Sequence, residues 1–334
     1  MPSAEGHSIE TARPVSRRPG IETPPDWCYT KPYDTYYLVR DAVCGVLSGS
    51  VVTRIEKSDG TVVVTGEAKV NVVPFTYTST SGSTWAHQVQ VSAYQAWGDA
   101  RLAEAHGQAT VSGECEWLNS SFPRQKIYPD VTAAGEAYFD TLATAPGEVG
   151  TCRSTWALTF SVPGYPDTGP HRFRMLDVRC DNAVGGSSGV GCVIPAAAAP
   201  VIYNRAEAPE LAAHVELAQQ SGLPGASPQH ALNRTRDQGT IDRNRSLACG
   251  DAPSIPGKSC DEYPPASSRQ GLTAGGERRT FDNCGFSLPR QTGPTGVSVC
   301  MINEKDNSKQ GRWHQRDYSH WRVLDGDRFF IWIR

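Results

Sequence analysis

Ten cysteines constrain this chain more than any other feature. They stand at 28, 44, 115, 152, 180, 192, 249, 260, 284 and 300. None forms a C-x-x-C pair, which weakens a zinc reading. Six precede residue 200 and four follow it, both even counts. That distribution is expected if each of two domains closes its own disulfides, and it points to an oxidising compartment outside the cytosol. The four C-terminal cysteines leave three pairings open. The opening stretch "MPSAEGHSIETARPVSRRPG" lacks the apolar segment of a signal peptide. An exported chain of this kind would have lost its leader or would be part of a longer one. No apolar run approaches the roughly 20 residues of a membrane helix.

At 334 residues the chain is long enough for two domains, each with its own core. Residues 1–26, rich in Pro, Ser, Arg and Glu without periodicity, read as a disordered leader or linker. From 27 to 195, "GTVVVTGEAKVNVVPFTYTST", "AHQVQVSAYQAWGDARLAE", "GQATVSGECEW", "STWALTFSV" and "RFRMLDVRC" alternate apolar and polar residues between turn signals. Such short strands predict an antiparallel sandwich or barrel. "GEAYFDTLAT" suits a short helix or another strand. Trp85, Trp97, Trp117 and Trp156 read as core aromatics, and no function is legible in this region. "PAAAAP" at 195–200 reads as a hinge.

A helix follows in "APELAAHVELAQQSGLPG". Pro209 opens it, Leu211, Val215 and Ala218 form its apolar face, and Gly222 and Pro224 stop it. His214 on this helix suits a core or surface role. Residues 223–259 read as a polar, Arg-rich loop. "GVSVCMIN" predicts a strand, "GRWHQRDYSHWRVL" a helix starting near Gly311, and "DRFFIWI" a terminal strand.

The net charge of −3 shows no nucleic-acid footprint over the whole chain. From Asn204 onward, however, 17 Lys and Arg face 15 Asp and Glu, and 14 of those cations are Arg. Arginine grips phosphate bidentately, although the whole chain also favours Arg over Lys, 25 to 7. Two acidic or amide clusters stand in this region: Asp261–Glu262, and Glu304 with Asp306 and Asn307. Asp317 is a further oxygen donor. Such donors suit a hard divalent cation, Mg²⁺ or Mn²⁺. A carboxylate activating water beside that ion is a layout for phosphodiester hydrolysis, with Arg312, Arg316 and Arg322 facing the phosphates. The plainer reading of "EKDNSKQG" is a solvated turn.

The order of these motifs resembles the NucA/NucB family of secreted bacterial deoxyribonucleases. The resemblance rests on Pro209, Glu210 and His214, then Asp261, Glu262, Tyr263 and Pro264, then Asp306, Asn307, Gly311 and Trp313. It covers residues 204–334. It implies a small ββα-metal (His-Me finger-like) nuclease domain, which with the N-terminal all-β sandwich-like domain read from the strand pattern makes an α+β chain. It implies Asp261 as the base with Glu262 its neighbour, Asp317 as the helix ligand of one divalent ion, and Asn307 nearby. Glu304 is an alternative ligand, and His314 an alternative base. The expected function is a secreted, metal-dependent endonuclease acting on DNA with little sequence preference. The alternatives are a DNase toxin with an immunity protein, or a secreted binding protein whose nuclease-like tail is inactive.

Overall fold

The computed structural model describes residues 22–186 and 189–334. Most of the leader expected over residues 1–26 lies outside them. The described chain divides into two compact units. One runs to Asn182 and takes in Gly189–Ile194; the other takes in the stretch beginning at Ala183 and Pro195–Arg334.

The first unit is built of antiparallel strands. One sheet is ordered Tyr37–Val39, Ala42–Cys44, Val62–Tyr77, Thr84–Gly98, Thr132–Thr141, Cys115–Ser121, with Leu47–Glu56 also paired to Val62–Tyr77. The other is ordered Gly191–Val193, Val178–Asp181, Val149–Ser161, Glu104–Gly113, Gln125–Lys126, with His171–Arg174 also on Val149–Ser161. Along Val149–Ser161 burial alternates residue by residue, as a strand with one buried face requires. Trp156 lies on that face, fully buried. Its indole N–H donates to the His87 carbonyl at 3.0 Å, and Ser154 Oγ meets His87 Nδ1 at 2.9 Å. "GEAYFDTLAT" is strand as far as Thr141, not helix, with Ala137, Phe139 and Thr141 buried at period two. Trp85 and Trp156 are core, but Trp97 and Trp117 are about half exposed, at 48% and 53%, which corrects their reading as core aromatics.

The second unit holds two three-stranded sheets and three helices. In one sheet Ala199–Tyr203 runs parallel to Arg328–Ile333, whose other edge takes Leu232–Asn233. Part of the expected hinge therefore enters a strand. In the other, Lys258–Tyr263 pairs antiparallel with Val297–Asn303, which Arg278–Arg279 joins in parallel. Helix α1 is Pro209–Gln220, with Pro at its start and Leu211, Ala212, His214, Val215 and Ala218 buried. Helix α2 is Gln238–Cys249, inside the stretch expected to be loop. Its buried face is Asn244 and Ala248 alone, too thin an apolar stripe to register as periodicity. The Asp237 carboxylate caps it, accepting from Thr240 N at 2.7 Å. Helix α3 is Glu304–His320, seven residues longer at its start than expected from Gly311. Asn303 caps it through Lys305 N at 2.9 Å, so "EKDNSKQG" is helix and not turn.

The expected α+β class with a ββα-metal nuclease domain is overturned. The described residues are mostly β, 42% strand against 16% helix, and among them no ββα-metal domain is evident. The two strands that would make its hairpin end at Tyr263 and begin at Val297. A long excursion separates them, and the second is an interior strand paired on both edges.

All ten cysteines are paired within their own unit: 28–44, 115–152 and 180–192 in the first, 249–260 and 284–300 in the second. Five disulfides fit an oxidising environment. Among the described residues no helix is long and apolar enough to cross a membrane. Peptide mapping without reduction should recover these five pairs. Reduction should cost about 2–5 kcal/mol per bridge in denaturant unfolding. Recovery of Cys249 joined to Cys284 or Cys300 would refute the pairing.

Candidate functional site

Asp261 and Glu262 are consecutive on one strand, so their side chains leave on opposite faces. Asp261 points inward and is 1% exposed. Its Oδ2 accepts from His214 Nδ1 on α1 at 2.5 Å, and its Oδ1 accepts from Gln310 Nε2 on α3 at 2.8 Å. The other imidazole nitrogen of His214 meets Ser298 Oγ at 2.8 Å. The carboxylate is thus satisfied by side chains from two helices, as a buried charge must be.

Glu262 faces the other way, into a cavity of about 530 Å³ within the second unit. Arg234, Arg245, Ser267, Asn307, Gln310, His314 and Tyr318 share its lining, and the Cys249–Cys260 disulfide forms part of its wall. Burial, and then the charge of Asp261 next door, push the Glu262 carboxyl from its ordinary 4.5 up to about 7, against the lowering pull of Arg245. His314 is held the other way. Burial, with Arg234 nearby, drops its imidazole to about 3, so it is neutral at physiological pH. Its Nε2 lies 2.7 Å from the Tyr203 hydroxyl, and its Nδ1 lies 3.5 Å from Ser267 Oγ. The Arg234 guanidinium stacks 4.2 Å over the Tyr318 ring and donates to the Val323 carbonyl.

The remaining expected residues are scattered. Asn307 lines the cavity, its Nδ2 donating to Ser259 Oγ and the Cys260 carbonyl, each at 2.9 Å. Glu304 is exposed on the first turn of α3. Asp317 lies ten residues beyond Asn307, about 15 Å along the helix. Its oxygens accept from Arg316 Nε at 2.6 Å and Ile202 N at 2.8 Å. Glu304, Asn307 and Asp317 therefore do not converge on one point. Of the expected phosphate-facing arginines, Arg312 is exposed away from the cavity lining, Arg316 is engaged with Asp317, and Arg322 is fully buried. Arg234 and Arg245 occupy the cavity instead. Arg245 sits four residues before Cys249, whose bridge to Cys260 draws α2 against the Glu262 strand. The sequence, which leaves the pairing of Cys249 open, carries no signal for Arg245.

Among the described residues no three His, Cys, Asp or Glu side chains gather as a metal cluster. The cavity lining carries one carboxylate, Glu262, and the Asn307 side-chain amide. A sparse oxygen set of that kind fits Mg²⁺, which keeps several waters and completes its shell with substrate phosphate. No protein-family model matches the sequence, and no curated protein matches it.

Adjacent carboxylates should show opposite stability effects. Asp261→Asn removes a charge-assisted hydrogen bond from a buried pair and should lower stability by about 1.5–3 kcal/mol. The raised folded-state pKa of Glu262 gives stability that is full below about 4.5 and lost as pH rises through about 7. Glu262→Gln should therefore be more stable than wild type at pH 8, by on the order of 2 kcal/mol, and show no such gain at pH 4. Denaturant unfolding at both pH values checks this. Equal effects from the two substitutions would contradict the assigned faces.

Proposed function

We propose that the second unit is a secreted, metal-dependent endonuclease that hydrolyses DNA phosphodiester bonds with little sequence preference, with the Glu262 cavity as its active site. One observation carries this reading. A carboxylate poised near neutral pH shares a 530 Å³ cavity with two arginines. The five disulfides support export, and the ordered motifs of residues 204–334 support the resemblance to the NucA/NucB nucleases.

Arg245 and Arg234 draw the anionic backbone into the cavity and neutralise the phosphate. Glu262 takes the proton of the attacking water as its oxygen bonds to phosphorus and the P–O bond to the leaving sugar oxygen breaks. Among the three groups considered as base, Asp261 has both oxygens engaged away from the cavity, and His314 at about 3 is too weak an acceptor. Glu262 alone combines access with a matched pKa. Asn307 would hold the divalent ion, which when bound supplies charge stabilisation at the phosphate.

Purified full-length protein should cleave plasmid DNA with Mg²⁺ or Mn²⁺ and lose that activity in EDTA. The rate should rise with pH through about 7, as Glu262 ionises. Glu262→Gln should lower kcat about 10²–10⁴-fold, and Arg245→Ala should act chiefly on KM. Undiminished cleavage in EDTA would sink the metal, and near-wild-type activity of Glu262→Gln would sink the base.

A further inference from the structure

The buried chain of polar groups behind the cavity fixes which nitrogen of His314 carries the proton. Tyr203 is fully buried, and its phenol is held protonated far above ordinary pH by burial and by the nearby Asp261 charge. A buried hydroxyl hydrogen needs an acceptor. The Asp261 oxygens accept from His214 and Gln310. Among the described residues, the hydrogen-bond partner of the Tyr203 hydroxyl is His314 Nε2, at 2.7 Å. If Nε2 accepts, the single proton of a neutral imidazole sits on Nδ1. Nδ1 is the nitrogen turned toward Ser267 on the cavity lining. The 3.5 Å separation there is too long to satisfy that N–H fully.

We propose that His314 presents a fixed Nδ1–H to an anionic phosphate oxygen bound in the Glu262 cavity, with Tyr203 as the positioning residue that sets the tautomer. This rests on the nuclease reading for its substrate but not for its tautomer. His314 is then a neutral hydrogen-bond donor and not a base. A neutral donor stabilises a phosphate oxygen without placing a third cation beside Arg234 and Arg245.

The test is ring nitrogen NMR of the full chain labelled with ¹⁵N-histidine at pH 7. The wild type should show His314 as the Nδ1–H tautomer. Tyr203→Phe removes the donor to Nε2 and should shift His314 toward the Nε2–H form. Inorganic phosphate should move the wild-type Nδ1–H resonance. In cleavage assays, His314→Asn, whose amide N–H falls near the Nδ1 position, should keep activity within about tenfold. His314→Gln, whose amide reaches toward Nε2, should lose at least about a hundredfold in kcat, as removal of one oxyanion donor does. An Nε2–H tautomer in the wild type, an Nδ1–H resonance unmoved by phosphate, or equal activity of the Asn and Gln variants would each overturn the proposal. An intact Nδ1–H tautomer in a protein that cleaves no DNA would instead count against the nuclease reading.

Discussion

The second unit is organised around one buried carboxylate. Asp261 cannot sit 1% exposed without partners, because desolvating a carboxylate costs several kcal/mol that hydrogen bonds must offset. Its partners come from elsewhere in the sequence: His214 from α1 and Gln310 from α3, with Ser298 from the neighbouring strand completing the imidazole. Satisfying Asp261 therefore fixes two helices against the Lys258–Tyr263 strand. Strand parity does the rest. Once Asp261 faces in, Glu262 must face out into the cavity, and a slip of one residue would exchange their environments.

A second polar cluster sets the pitch of those helices. Asp306 on α3 accepts from Glu210 N in the first turn of α1 at 3.0 Å, satisfying a donor that no helix residue can reach. The Glu210 carboxylate accepts from Lys258 Nζ and Asn303 N, both at 2.6 Å, at the paired ends of the two strands. Tyr263, at the other end of its strand, donates to the Pro224 carbonyl at 2.8 Å across a turn with Gly225 at φ +109°. A side chain at Gly225 would meet the Tyr263 hydroxyl at 2.4 Å, so the turn excludes one. Strand, helices and turn thus position the cavity wall through polar contacts more than through apolar packing.

This dependence on polar contacts explains what was and was not legible in the sequence. Period-two alternation is a pattern of apolar burial, and it located several of the strands of the first unit, Val62–Tyr77, Thr84–Gly98 and Val149–Ser161 among them. Helix α1 was legible because Leu211, Val215 and Ala218 mark its buried face. Helices α2 and the first half of α3 bury Asn244, Ala248 and Asp306, which carry almost no hydrophobic signal. The same blindness affected the site. Asp261 and Glu262 stand side by side in the sequence with equal chemistry, and only the sense of the strand separates them. Arg322 looks as available as Arg245 until packing buries one and exposes the other. The ββα-metal expectation failed for a related reason. Motif order carries no information on strand pairing, and the intervening residues 264–296 separate strands that a hairpin would join directly.

Glu262 and His314, both on the cavity lining, are displaced in opposite directions, and both displacements reduce fixed charge. Burial raises Glu262 toward neutrality from the acidic side and holds His314 neutral from the basic side. Arg234 and Arg245 then contribute the full charges of the lining. A cavity in that state presents positive potential to an incoming phosphate, with little opposing charge from its own carboxylate. An anion bound there would make ionisation of Glu262 harder, and a divalent cation beside it would make ionisation easier. The carboxylate's readiness as a base is therefore linked to what else occupies the cavity. That coupling follows from placing a buried acidic group in a pocket lined by two arginines.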